Sequence, residues 1–233
     1  MRVRVVGAGR AGGALGLALE RVGWTVDPTL GRGDDLTGAA HEVDLLVLAV
    51  PDPFIAEVAA AVESDPDTVV AHLAGSLGLA VLAGHPRPAA LHPLVALPDA
   101  ETGAARLADG AWFAVAGDRL VGQVVADLGG HVFTVADEDR TRYHAAAVIA
   151  SNHLVALLGQ VERVAPDGVP LEAFLALARG TVDNVAALGP AAALTGPVAR
   201  GDWATVERHL AALPADEREA YEAMVAQARR LAP

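Results

Sequence analysis

The sequence predicts an α/β domain built on a mainly parallel, doubly wound sheet with its second strand at an edge, followed by an all-α domain. Three observations carry this expectation. As far as about Ala136, short β-branched or apolar runs alternate with helical patterns, as in strands joined by crossover helices. Beyond Asp137 no convincing strand recurs, and helical periodicities follow one another. At the start, Val3–Val6 breaks into Gly7-x-Gly9-x-x-Gly12 and continues as an alanine- and leucine-rich helical pattern reaching Val22.

Taken in order, strands are expected at Val3–Val6, Thr25–Leu30, Leu45–Val50, Val69–Leu73, Ala89–His92, Trp112–Ala116 and His131–Val135. Helices are expected between several of them, at Gly13–Val22, Phe54–Val62 and Arg119–Leu128. The second half reads as helices over Asp137–Val164, Leu171–Leu188, Asp202–Leu213 and Ala215–Leu231. The domains are therefore expected to be residues 1–136 and 137–233. About a dozen residues separate Thr25–Leu30 from Leu45–Val50, too few for a helix, a further strand and a crossover. Thr25–Leu30 should accordingly be an edge strand, where Pro28 is tolerated.

Composition narrows the function. The 233-residue chain is 53% hydrophobic, with a mean hydropathy of +0.36, yet no stretch of about 18 residues is uninterruptedly apolar. The expectation is a cytoplasmic protein that neither spans nor binds a membrane. A net charge of −12 disfavours nucleic acid as a partner. Cysteine is absent, and all 17 basic side chains are arginine. Disulfides, zinc–thiolate sites, thiol nucleophiles, Schiff bases and lysine acids are thereby excluded, and no metal site is expected.

A strand turning sharply into a helix directs free N–H groups and the positive helix end at one point, which suits a pyrophosphate. Gly7 permits the turn, Gly9 lets backbone approach phosphate, and Gly12 lets helix pack on strand. Arg10 and Ala11, between the last two glycines, complete the loop. This is the dinucleotide-binding unit of a Rossmann domain. Val50, Pro51 and Ser76, following later strands, are expected to line the same cofactor site. Arg32, in Gly31-Arg32-Gly33 at the exit of the second strand, can pair with a 2′-phosphate. Asp27, twenty positions after Gly7, is the alternative partner, for a ribose hydroxyl. Arg32 favours NADP over NAD, although Asp34 and Asp35 lie beside it.

Ligands of open α/β sheets bind beyond the carboxyl ends of the strands. There stand Val50-Pro51-Asp52, His72-Leu73-Ala74-Gly75-Ser76 and Leu91-His92-Pro93-Leu94. His92 and a hydroxyl on a neighbouring loop could polarise a carbonyl or imine, whereas His72, inside an apolar run, reads as structural. On the first helix of the second half, His144 and Ser151 fall within about 20° of each other at 100° per residue. Asn152 lies about 80° from His144, and His153 points to the opposite side. Thr195 and Arg200, in Leu194-Thr195-Gly196-Pro197-Val198-Ala199-Arg200-Gly201-Asp202, are candidates for holding a substrate oxygen and a carboxylate. Helix punctuation, with Asp202 as a cap, explains the same loop.

The stretches G-A-G-R-A-G, L-A-V-P-D, H-L-A-G-S-L-G, L-H-P-L, Y-H-A-A-A-V-I-A-S-N-H and L-T-G-P-V-A-R-G-D run from Gly7 to Asp202. Together they resemble a bacterial family of Rossmann-like proteins with a helical C-terminal domain of uncharacterised function. That family lies in the phosphogluconate dehydrogenase superfamily, near ketopantoate reductase and pyrroline carboxylate reductase. The resemblance implies an NADP-dependent reductase fold, with the cofactor between the domains and a homodimer formed through the helices. Relatives place a lysine and an asparagine one turn apart on the first interdomain helix. Asn152 can fill the asparagine role, but Val148 occupies the lysine position. Proton donation then falls to His144, with His92 behind it.

The function expected is NADPH-dependent reduction of a small oxo acid or imine. A non-catalytic NADP-binding sensor or scaffold is the alternative. A third reading, a serine hydrolase, rests on Ala74-Gly75-Ser76-Leu77-Gly78, which approaches the G-x-S-x-G elbow but leaves the phosphate loop unexplained.

Overall fold

A computed structural model describes residues 1–232. The first unit, Met1–Ser151, holds seven strands: β1 (Arg2–Val6), β2 (Thr25–Val26), β3 (Leu45–Leu48), β4 (Val69–His72), β5 (Pro88–Pro93), β6 (Trp112–Gly117) and β7 (His131–Thr134). They form one sheet in the order β2-β1-β3-β4-β5-β6-β7. All neighbours run parallel except β5 and β6. β3 (LLVL) and β4 (VVAH) are buried at every position, which explains their unbroken apolar runs.

β2 is the edge strand that the short connection implies. It keeps regular pairing for two residues only, because Pro28 interrupts the ladder. The chain nevertheless stays alongside β1, with Asp27 N–H on Val3 C=O (2.9 Å), Leu30 N–H on Val5 C=O (2.9 Å) and Gly7 N–H on Leu30 C=O (2.8 Å).

Helices cover both faces. α1 (Arg10–Arg21) buries Gly12, Ala14, Leu15, Gly16, Ala18 and Leu19, in one core with Val3, Val5, Leu91 and Phe113. α2 (Ile55–Ala61) belongs to the opposite core, with Leu46, Leu48, Val70 and Leu82. α3 (Ala100–Leu107) was not among the expected helices. Asp99 caps it, accepting from Thr102 N–H at 2.7 Å, and small residues fit it against α1: a Cβ on Gly103 would lie 2.7 Å from Ala14 Cβ. Its mixed Glu, Thr and Gly composition hides the periodicity, but the Asp cap was legible. α4 (Leu120–Asp127) buries Val121, Val124 and Val125.

The long helical run begins with a 3₁₀ turn at Asp137–Asp139 and continues as α5 (Arg140–Val148), a π-helical turn at Ile149–His153, and α6 (Leu154–Val164). The π turn corrects the angular reading of Ser151, Asn152 and His153 relative to His144. Its i→i+5 bonding winds more residues into each turn than 100° steps assume. The compact units divide inside this run, after Ser151, and not at Ala136. The displacement arises because Arg140, Tyr143 and His144 pack with loops of the sheet domain. The run Asp137–Val164 also has the length and mean hydropathy (1.3 over its most apolar window) to cross a membrane. It passes by length and average composition alone, a test that soluble helices also pass, and its polar residues Ser151, Asn152 and His153 leave no uninterrupted apolar stretch of that length.

The second unit, Asn152–Pro233, contains α6, α7 (Leu171–Leu188), α8 (Pro190–Ala193), α9 (Trp203–Ala212) and α10 (Arg218–Arg229). α9 starts at Asp202, whose carboxylate accepts from Thr205 N–H (3.1 Å) and Thr205 Oγ1 (2.6 Å), so the capping role is realised. Arg163 pairs with Glu217, and Gln160 Nε2 donates to Glu217 C=O at 2.9 Å. Among the described residues of this unit, only Val198, Val206 and Glu217 are buried. α6 and α7 have no buried residue despite their apolar sequences.

Candidate functional site

β1, β3, β4 and β5 run parallel, so their carboxyl ends share one edge of the sheet. The chain leaves β1 toward β2 on one side and returns to β3 on the other, which makes the β1/β3 crevice the topological switch point. A cavity of about 570 Å³ lies there, lined by Val6, Gly7 and Ala8 from β1, Gly31–Asp34 from the β2 exit, and Val50, Pro51, Phe54 and Glu57 after β3.

The glycine loop has the geometry that its spacing implies. Gly7 adopts φ +115°, and a Cβ there would meet Ala49 C=O at 2.5 Å. A Cβ on Gly12 would lie 2.3 Å from Gly7 C=O and 3.0 Å from Val5 Cγ1, so only glycine lets α1 approach β1 this closely. Gly9 faces open space and caps α1 with no side chain. The first-turn N–H groups, from Arg10, Ala11 and Gly12 onward, are therefore left for an anion. Arg10 and Arg32 form no ion pair among the described residues. Asp34 accepts from Gly31 N–H at 2.6 Å, bracing the turn that presents Arg32.

Asp27 is occupied otherwise. Its carboxylate receives Arg2 Nε at 2.7 Å and Arg4 Nη2 at 2.5 Å. Burial opposes its ionisation, but these two hydrogen bonds outweigh burial and hold its pKa below the ordinary value. The ribose alternative for Asp27 is thus replaced by an internal ion-pair role.

Farther along the same edge, imidazoles gather. His72 accepts Ala74 N–H on Nδ1 (3.2 Å), so Nε2 carries the proton and donates to Gly78 C=O (3.3 Å). Burial foremost lowers its pKa, against the pull of Gly78 C=O. His72 therefore shapes the Leu73–Gly78 loop as a neutral ring, in keeping with its structural reading. His92 Nδ1 lies 2.7 Å from Tyr143 Oη. Its pKa is lowered to about 4, first by burial and then by the charges of His144 and Arg140. His92 and His144 meet edge to face, with centroids 5.8 Å apart. Both lean over Gly75: a Cβ there would lie 2.7 Å from His144 Nδ1 and 2.8 Å from His92 Nε2. His144 Nδ1 is buried without a hydrogen-bond partner among the described residues.

Ser76 does not line the cavity. Its hydroxyl donates to Asp52 Oδ2 at 2.7 Å, so it lacks the histidine partner that a hydrolytic nucleophile needs. Ser151 and Asn152 are exposed on the π turn. Thr195 lines a separate cavity of about 610 Å³ within the second unit, together with Leu177, Thr181, Asn184 and Leu194. Arg200 is exposed and unpaired among the described residues. Two site residues escaped the sequence reading. Tyr143 orients His92, and Arg140 is wholly buried. The four-residue spacing of Arg140 and His144, which places both on one helix face, was the available signal. Among the described residues no group of three or more His, Asp or Glu could hold a metal ion.

Fold and glycine loop together define a Rossmann-type α/β domain followed by a helical unit. Residues 114–228 match the model of a domain of unknown function, DUF2520. No curated protein matches the chain. Among solved structures, a candidate NADP oxidoreductase of Bacteroides fragilis is 20% identical, with 98% of each chain covered and a TM-score of 0.81. Protein TM1727 of Thermotoga maritima is 24% identical, covering 99% of this chain and 98% of its own, with a TM-score of 0.75. Plasmodium falciparum pyrroline carboxylate reductase, solved with NADP bound, is 13% identical, covering 100% and 98%, with a TM-score of 0.63. These likenesses establish the fold.

Proposed function

We propose that the protein is an NADP-dependent oxidoreductase that reduces the C=O or C=N bond of a small oxo acid or imine. One observation carries the reading: Gly7 and Ala8, in the glycine loop that leads to the uncapped N-terminus of α1, and Arg32, without an ion pair among the described residues, border one cavity, and two imidazole nitrogens converge over Gly75 on the same sheet edge. From β1 to β5 that edge extends about 14 Å at ordinary strand spacing. The likeness to an NADP-bound pyrroline carboxylate reductase supports the choice of cofactor and reaction.

The residues fit a dinucleotide. The backbone of Gly7–Gly12 and the α1 terminus hold the pyrophosphate, Val50 and Pro51 flank it, and Arg32 pairs with the 2′-phosphate. A reduced nicotinamide cofactor held there would supply the hydride for the reduction. The protein supplies the balancing proton to the substrate oxygen or nitrogen, and His144 is its donor. His92, neutral because burial depresses its pKa, donates a hydrogen bond through Nε2 while Tyr143 Oη donates to Nδ1. A neutral imidazole polarises a carbonyl without surrendering its proton. Ser151, on the same helical run as His144, is proposed to orient the substrate. The working form is proposed to be a homodimer, in which a second copy covers the unburied apolar residues of α6 and α7.

The test is NADPH oxidation with a panel of small 2-oxo acids and cyclic imines, beside fluorescence titration of NADPH and NADH. Tight NADPH binding with turnover supports the reading. Binding of neither cofactor overturns it.

A further inference from the structure

Arg140 is a buried charge without adequate partners. Its side chain is 0% exposed, and among the described residues neither Nη1 nor Nη2 has a hydrogen-bond partner. Among the described residues its sole ion pair runs from Nε to Asp137 Oδ1 at 3.3 Å, and the Asp137 side chain is 57% exposed. A buried guanidinium left in this state is strongly unfavourable, so native proteins pair such groups. One helical turn on, His144 Nδ1 is the third orphan polar atom of the same helix face. His144 overlies Gly75, and Asp137, the ion-pair partner of Arg140, overlies Gly78 of the same loop. Cβ atoms on these glycines would lie 2.7 Å from His144 Nδ1 and 2.5 Å from Asp137 Oδ2.

Two guanidinium nitrogens match the two oxygens of a planar carboxylate. A ring nitrogen four residues on, on the same helix face, suits a heteroatom on the adjacent carbon. We propose that Arg140 and His144 form a carboxylate-binding site over the Gly75–Gly78 loop. The substrate class is then a small 2-oxo or 2-imino carboxylate, with its carboxylate on Arg140 and its neighbouring oxygen or nitrogen on His144. This rests on the reductase reading and transfers the anion-holding role from Arg200 to Arg140.

The experiment follows the imidazole resonances of His92 and His144 by NMR in the NADPH-bound full chain, titrating formate and pyruvate against the uncharged methyl pyruvate. Saturable shifts with both carboxylates and none with the ester are expected. Because the Arg140 charge lowers the His92 pKa, a bound carboxylate must raise it above about 4. Arg140→Met should weaken carboxylate binding roughly tenfold or more, while Arg200→Ala leaves it unchanged. Removing an unpaired buried charge in favour of an apolar side chain should leave the melting temperature level or higher. If Arg140→Met does not fold, Arg140→Lys replaces it, since a point charge without the two-pronged geometry should also bind more weakly. No saturable shift in the wild type, or one undiminished in the Arg140 variant, overturns the proposal. NADPH titrations of the same samples separate the two readings: cofactor bound without carboxylate refutes this site alone, and no cofactor bound refutes the reductase.

Discussion

Gly75→Ala tests the convergence of the two imidazoles most directly. The new Cβ would stand 2.7 Å from His144 Nδ1 and 2.8 Å from His92 Nε2. Ordinary contacts begin at about 3.5 Å, so each ring must retreat by roughly 0.7–0.8 Å. The clashing atoms are the ends of side chains, so the stability cost should sit near the lower end of the ~1–3 kcal/mol typical of overpacking. Catalytic geometry is less forgiving, because a displacement of about 1 Å can cost ~10²-fold in rate. We therefore expect kcat/KM to fall between about 10-fold and 100-fold with NADPH affinity unchanged. Gly12→Ala is the contrasting control. Its Cβ would meet backbone, Gly7 C=O at 2.3 Å, and should impair NADPH binding. The assays are steady-state NADPH oxidation with the most active oxo acid or imine of the panel, and cofactor titration by fluorescence. Undiminished turnover in a folded Gly75→Ala protein would refute a working site over Gly75.

Arg32→Ala should weaken NADPH binding by about 1.5–3 kcal/mol, the worth of a charge-assisted hydrogen bond, and leave NADH nearly untouched; equal loss for both cofactors counts against a 2′-phosphate contact. The depressed pKa of His92, about 4 against roughly 6.5 unfolded, makes the unfolded chain bind more protons in that interval, so stability should rise with pH from about 4 to 6.5. Thermal denaturation across that range should show a shallower slope in His92→Gln, and an unchanged slope removes His92 as the cause. His144→Ala should lower kcat by about 10²–10⁴-fold, as loss of a general acid does, with NADPH affinity preserved; a smaller effect excludes it as the proton donor. Light scattering at micromolar concentration should return twice 23.7 kDa, and Leu177→Asp, at a residue 68% exposed on α7, should shift the mass to that of one chain. A single-chain mass in the wild type refutes the dimer.

What the sequence determined by itself is local in origin. Seven strands, their edge member and the glycine loop follow from periodicity, from too short a connection between Leu30 and Leu45, and from backbone freedom at Gly7 and Gly12. The Asp202 cap needs a partner three residues away. The site is another matter. His92 meets Tyr143 across 51 positions, and Asp27 meets Arg2 and Arg4 across 25 and 23. Such pairings depend on strand order and on which helix face is laid against the sheet, neither of which leaves a periodic trace. The π turn at Ile149–His153 shifts side-chain directions in a way uniform helix geometry does not foresee. The burial of Arg140 arises likewise: arginine at the start of an exposed-looking helix reads as solvated, and only packing of that turn over Gly75–Gly78 takes its charge out of water.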